Sequence, residues 1–334
     1  MAVDLALIWA FLIAFAVLAY VVLDGFDLGI GILFPWFRRA EERDLLSASI
    51  APVWDGNETW LILGGGGLFA AFPLAYAVVM PAFYAPITIM LLGLVFRGVA
   101  FEFRHRSKRW ETLWDIGFWA GSTLAAFCQG LALGTWIQGI EVAGRAYAGG
   151  WFDWLTPFSV ATGVALVCGY ALLGCGWLIL KTEGAPQDRA FRLAKPFFAV
   201  LVAGIVAVSI WSPFHHPSIA ARWFSWPNVA VLSPVPLLVA LLAWRAWRAL
   251  ERREERAPFL CALGLFVLSF IGLGISFYPL IVPFEITIHE AAAPESSLGF
   301  MLVGAAILLP IILAYTAYAY WIFRGKTDVS ESYH

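Results

Sequence analysis

Apolar runs long enough to cross a bilayer recur along almost the whole chain, and no other feature restricts its fold as much. A spanning helix needs about 20 mostly apolar residues. That criterion marks nine stretches, at roughly 6–34, 58–80, 82–103, 114–138, 157–180, 196–213, 228–248, 258–282 and 298–323. Backbone in lipid must satisfy its own N–H and C=O groups, so such a chain is expected to fold as an all-α bundle of nine transmembrane helices. The composition agrees, with 13% charged residues and a mean hydropathy of +0.81, against about 25% charged in an ordinary soluble domain. Connections are mostly short, which predicts antiparallel neighbours within a single integral-membrane domain over 1–334. The first run is expected to be retained: it is too long for a signal peptide, and Asp4 stands where a basic segment would precede one.

Basic residues in the connections set the orientation. Alternate connections hold Arg38, Arg39 and Arg43; Arg104, Arg106, Lys108 and Arg109; Lys181, Arg189, Arg192 and Lys195; and Arg245, Arg248, Arg252, Arg253 and Arg256, with Arg324 and Lys326 in the tail on that same side. The intervening connections hold Arg145 and Arg222 alone. This asymmetry predicts a cytoplasmic C-terminus and an N-terminus on the outer side of the membrane. A net charge of −2 gives no basis for nucleic-acid binding.

Against that apolar background, a few buried charges stand out. An ionised carboxylate in hydrocarbon costs several kcal/mol unless it is paired, hydrated or protonated. Asp24 and Asp27, in "VVLDGFDLGIG", lie three residues apart and share a helical face. Helical rise puts Asp27 roughly 12 Å, and Arg97 in span 3 roughly 9 Å, from the same membrane face. The matching depths predict an ion pair between Arg97 and Asp27 or Asp24. In "APVWDGNETW", residues 51–60, Asp55 and Asn57 suit helix capping, and Glu58 suits a helix N-terminus. Capping does not explain why Asp55, Glu58, Asp24, Asp27 and Arg97 should converge on the inner half of three spans. A row of titratable groups joined by water would let protons enter from the cytoplasm. Trp54 and Trp60 fit an interfacial aromatic belt, and Gly64–Gly67 allows close backbone packing or leaves space for a quinone or lipid tail.

Other chemistry is missing. The histidines, His105, His215, His216, His289 and His334, fall outside the expected spans, so no bis-histidine haem site is present. Met80, Met90 and Met301 read as core filler, the "HH" pair lacks further metal ligands, and Cys128, Cys168, Cys175 and Cys261 lie in spans as small apolar residues. There is no phosphate-binding glycine loop and no activated nucleophile. On these residues alone the readings are a proton-coupled secondary transporter, with Pro234 and Pro236 bending or interrupting span 7, a membrane scaffold, or a subunit of a larger complex.

Specific motifs narrow this choice. "DGFDLGIGILFPW", "APVWDGNETWLILGGGGLFAAFPLAYA", "FRGVAFEFR" (96–104), "FYPLIVP" (277–283) and "PIILAYTAYAYWIF" (310–323) resemble subunit II of the cytochrome bd-type quinol oxidases. The short connections are closer to the cyanide-insensitive branch. The resemblance implies a complex that oxidises quinol and reduces oxygen to water. Two haems b and one haem d would reside in a larger subunit I, and none would be bound by this chain's own ligands. Other implied partners are quinol and membrane lipid, and the resemblance admits a small single-span accessory subunit. It implies proton uptake from the cytoplasm without pumping. It gives Asp55 of "WDGN" a place on the proton route, with Trp54, Gly56 and Asn57 completing an interface motif. Arg97 and Asp27 match the family's buried base and acid. Glu58 stands where a neutral residue is tolerated.

Overall fold

The computed structural model describes residues 4–104, 106 and 108–327; His105 and His334 lie outside them. The chain runs through α1 (Leu5–Leu33), α2 (Ala40–Ile50), α3 (Trp54–Ala71), α4 (Pro73–Ala82), α5 (Tyr84–Arg104), α6 (Glu111–Gln138) and α7 (Pro157–Lys181). It continues through α8 (Gly184–His215), α9 (Pro217–Phe224), α10 (Asn228–Leu232), α11 (Pro234–Glu251), α12 (Ala257–Phe277), α13 (Ile288–Ala291) and α14 (Glu295–Ile322). Two small antiparallel hairpins, β1 (Val142–Ala143) with β2 (Ala146–Tyr147) and β3 (Leu280–Val282) with β4 (Ile286–Thr287), fold over the end of the bundle away from the basic connections.

Among the described residues, eight helical stretches are long and apolar enough to cross a membrane, so the chain is a polytopic helical membrane protein. They coincide with eight of the nine expected spans. The expected second span, 58–80, is instead divided into α3 and α4. Proline disfavours the helical conformation at the residue before it and lacks an N–H; Phe72, preceding Pro73, sits at φ −133° and ψ 63°. The last expected segment of span 8 is also not helical: α12 stops at Phe277, just before Tyr278 and Pro279. In span 7 the prolines only restart the helix. Ser233 keeps helical angles and Pro234 takes the first position of α11, where its missing N–H costs nothing.

Helix α1 is the axis of the bundle, packed on α3, α6, α7, α12 and α14. Its second half, from Asp24 to Leu33, is buried throughout. Two glycine crossings set this geometry. A Cβ on Gly29 would stand 2.0 Å from the Tyr170 carbonyl, and one on Gly174 would stand 2.6 Å from the Gly29 carbonyl carbon, so α1 and α7 touch backbone to backbone. A Cβ on Gly121 of α6 would stand 2.5 Å from the Gly93 carbonyl and 2.9 Å from the Arg97 nitrogen, which draws α5 inward at the turn that carries Arg97.

Candidate functional site: a buried acid–base cluster

Asp24, Asp27, Asn57 and Arg97 are each at most 1% exposed and meet where α1, α3 and α5 cross. Arg97 Nη1 lies 2.9 Å from Asp24 Oδ1 and 3.5 Å from Glu58 Oε2. The buried ion pair is therefore Arg97 with Asp24, not with Asp27. Three helical residues turn through about 300°, so the two carboxylates diverge by roughly 60°: Asp24 is directed at α5 and Asp27 at α3. Asp27 Oδ2 instead accepts from Asn57 Nδ2 at 2.7 Å, and that amide also contacts the Leu23 carbonyl at 3.4 Å. The Trp54 ring lies 5.8 Å from the Arg97 guanidinium and packs on Phe101, adding a cation–π attraction where solvent is excluded.

Asp55 and Gly56 remain apart from this cluster. Both are exposed on the outward face of α3, and the start of α3 has no side-chain cap. Glu58, one turn on from Asp55, reaches Arg97 while its side chain stays 27% exposed, so it forms the accessible edge of an otherwise buried group. Inside, Oδ2 of Asp24, Oδ1 of Asp27, and Nε and Nη2 of Arg97 are buried without a hydrogen-bond partner. Buried polar atoms are ordinarily satisfied by protein or ordered water.

Four participants escaped the sequence reading. Tyr320 of α14 donates from its hydroxyl to Asn57 Oδ1 at 2.9 Å. Behind Asp24, Tyr170 donates to Gln129 Oε1 at 2.7 Å, and Gln129 Nε2 donates to the Tyr20 hydroxyl at 2.9 Å. Gln129 carried a signal, as an amide in the middle of an apolar span; Tyr20 lies one turn before Asp24 on its face. Tyr320 carried none, being one of several tyrosines in its motif.

A second network joins the basic connections. Arg104 binds Asp115 at 2.6 Å, Glu111 at 3.1 Å, and Asp44. Arg43 also binds Asp115 at 2.6 Å, and Arg189 binds Glu42 at 2.7 Å. Together these pairs fasten α2, an element the sequence reading did not anticipate, to α5, α6 and α8.

The described histidines do not form a haem site. His215 stacks on Trp211, His216 stacks on Phe284, and His289 contacts Asp4 at 2.9 Å, all at the end away from the basic connections. Among the described residues no group of three or more His, Cys, Asp or Glu could hold a metal ion. Gly64 and Gly67 pack on Val17 and Ile13 of α1, while Gly65 and Gly66 have no neighbour within 4 Å of an added Cβ. Gly67 also lines an apolar crevice of about 330 Å³ between α3 and α14.

Comparison with known proteins identifies the fold and the motifs together. The chain is 30% identical to cytochrome bd-I ubiquinol oxidase subunit 2 of Escherichia coli K12, covering 99% of this chain and 98% of that one. It is 28% identical to cytochrome bd ubiquinol oxidase subunit 2 of Bacillus subtilis, covering 97% of each. The bd oxidase structure from Geobacillus thermodenitrificans has the same fold, with a TM-score of 0.74 at 17% identity over 95% of this chain and 98% of that chain. The family described as cytochrome bd terminal oxidase subunit II matches residues 5–323, and the chain belongs to that family.

Proposed function

We propose that this chain packs against a haem-bearing subunit I in the bacterial cytoplasmic membrane, stabilises it, and passes protons from the cytoplasm toward the haems. Family membership makes the chain a subunit of a quinol oxidase complex that is not catalytic alone. In such a complex each dioxygen takes up four electrons and four protons to give two waters. Two quinols supply the electrons and release their own protons, so the protons used in water formation need a route of entry. Haem iron in subunit I supplies the oxygen chemistry; this chain's residues bind, orient and move protons. Nine crossings place the basic connections and the C-terminus in the cytoplasm and the N-terminus outside, with the α3–α4 pair as one crossing.

One observation carries the reading: a single buried guanidinium nitrogen is shared by Asp24 and by Glu58, whose carboxylate opens to the surface. Two carboxyl groups, Asp24 and Glu58, face one guanidinium, Asp27 lies beside them on Asn57, and the unpartnered atoms of the cluster offer sites for water. Asp55 and Gly56 lie on a face of α3 that continues through Ile62, Gly66 and Phe69, all exposed in the single chain. A partner seated on that face would cover Asp55 and place it at the seam between the subunits, beside Glu58.

Asp55→Asn in the assembled oxidase tests this reading. Quinol-driven oxygen consumption is expected to fall by at least about tenfold, with the haem spectrum and subunit ratio unchanged, whereas Glu58→Gln, which puts a neutral residue where one is tolerated, is expected to cost less. Full turnover in Asp55→Asn removes Asp55 from the proton route.

A further inference from the structure

Helix α14 is attached to the bundle at few points. Of its 28 residues, only Leu298 is buried. At that end the Trp9 indole N–H donates to the Leu298 carbonyl at 3.0 Å. Near the other end the Tyr320 ring stands edge-on to Phe26 and Trp177, with its hydroxyl on Asn57 Oδ1. That hydroxyl therefore joins a loosely held helix to the acid cluster.

An amide side chain presents an acceptor oxygen on one side and an NH2 donor on the other. A phenol donating to Oδ1 satisfies that oxygen and favours the orientation in which the Asn57 NH2 faces α1, where it donates to Asp27 Oδ2 and contacts the Leu23 carbonyl. Oδ2 of Asp27 is thereby held as an acceptor, while its Oδ1 is buried with no partner. We infer that Tyr320 is a positioning residue: by locking the Asn57 amide it keeps Oδ2 of Asp27 accepting and reserves Oδ1 as the oxygen that takes up and returns a proton. The inference rests on the proton-uptake reading and adds to it the atom at which the proton exchanges and the residue that selects it.

The titratable and charged groups around this exchange are Asp24 and Tyr20 on α1, Glu58 on α3, Arg97 on α5, Tyr170 on α7 and Tyr320 itself. None of them donates to Oδ1 of Asp27. Without the Tyr320 hydroxyl, the Asn57 amide is free to turn and present its oxygen to Asp27. In that orientation it accepts from a protonated carboxyl and holds the proton instead of passing it on.

The test uses the intact oxidase complex carrying Tyr320→Phe, Asn57→Leu, both together, or Asp27→Asn. Tyr320→Phe keeps the ring and its packing. It is expected to lower turnover about three- to tenfold, the equivalent of one hydrogen bond, with haem content and the KM for quinol unchanged. The activity profile should move to higher pH by up to about one unit. The infrared C=O stretch of a protonated carboxyl, assigned by its loss in Asp27→Asn, should move to lower frequency in Tyr320→Phe. Asn57→Leu should give a similar loss of turnover, and the double variant should add little, because both substitutions act through one amide.

Wild-type turnover and pH profile in Tyr320→Phe overturn the inference, as do losses that multiply in the double variant. Loss of haem from Tyr320→Phe also overturns it, because the hydroxyl would then hold α14 and not Asp27. Full turnover in Asp27→Asn removes the proton-uptake role of Asp27 and this inference with it. An impaired Asp27→Asn beside a wild-type Tyr320→Phe removes the Tyr320 inference alone.

Discussion

At the scale of the residue, Arg97 determines whether the cluster can exist in a membrane. Two ionised groups brought out of water lose hydration that their attraction only partly restores, so a buried pair is weak evidence of stability by itself. Removing one partner is a different matter, since the other charge is left uncompensated. Arg97→Ala is expected to destabilise the chain by about 3–5 kcal/mol, read as a lower yield and a lower unfolding temperature of the purified complex. Adding Asp24→Asn should recover part of that loss, because Asp24 is the acid that Arg97 pairs with at 2.9 Å. Adding Asp27→Asn should recover less; the reverse order would mean that the pairing is wrong. Helical depth alone brought Asp24, Asp27 and Arg97 together from the sequence. Depth does not encode azimuth, however, so it did not choose between the two aspartates. Nor did it reveal Tyr320, whose partner Asn57 lies 263 residues away in the chain.

At the scale of the element, most helices were legible because a 20-residue apolar run in lipid has few alternatives to a helix. The exceptions were places where local chemistry overrides hydropathy. Pro73 divides the second span, and α2, charged along its first half, is held by Arg43, Glu42 and Asp44 through contacts that no periodicity announces. The glycines separate in the same way. Gly29 and Gly64–Gly67 look alike in the sequence, yet Gly29 meets backbone at 2.0 Å and Gly66 meets nothing within 4 Å. Gly29→Ala is expected to force α1 and α7 apart at a cost of at least about 1–3 kcal/mol, seen as loss of assembled protein. Gly66→Leu should leave the chain folded, because its face is open, and should instead reduce the amount of subunit I that copurifies. Unchanged copurification would mean that subunit I does not dock on that face of α3.

At the scale of the whole molecule, the fold is closed by its last described residues. After α14 the chain turns back across the basic end. The Lys181 ammonium donates to the Phe323 and Gly325 carbonyls, and the Thr327 N–H donates to the Lys181 carbonyl at 2.8 Å. Lys326 reaches the Thr182 carbonyl at 3.1 Å and Glu255 at 3.0 Å, while Gln187 donates to the other Glu255 oxygen at 3.0 Å. The strap therefore joins α14 to α7, α8 and the turn before α12, and it gives a helix with little buried surface a second anchorage near Tyr320. Its strength should depend on pH. Hydrogen bonds from Lys326 and then Gln187 hold the Glu255 carboxyl below its usual range. A carboxyl whose folded pKa is depressed contributes fully above its unfolded value, about 4.3. That contribution is lost as pH falls through the lower folded value, when the protonated acid no longer attracts Lys326. Hydrogen-exchange protection of the amides from Phe323 to Thr327, corrected for intrinsic exchange, is therefore expected to be constant near neutrality and to fall on acidification below about pH 4. Glu255→Gln should show the reduced protection at every pH. Wild-type protection that persists through the acid range would show that the strap is held by its backbone and Lys181 contacts alone, and that the Lys326–Glu255 pair adds nothing measurable, as many exposed ion pairs do.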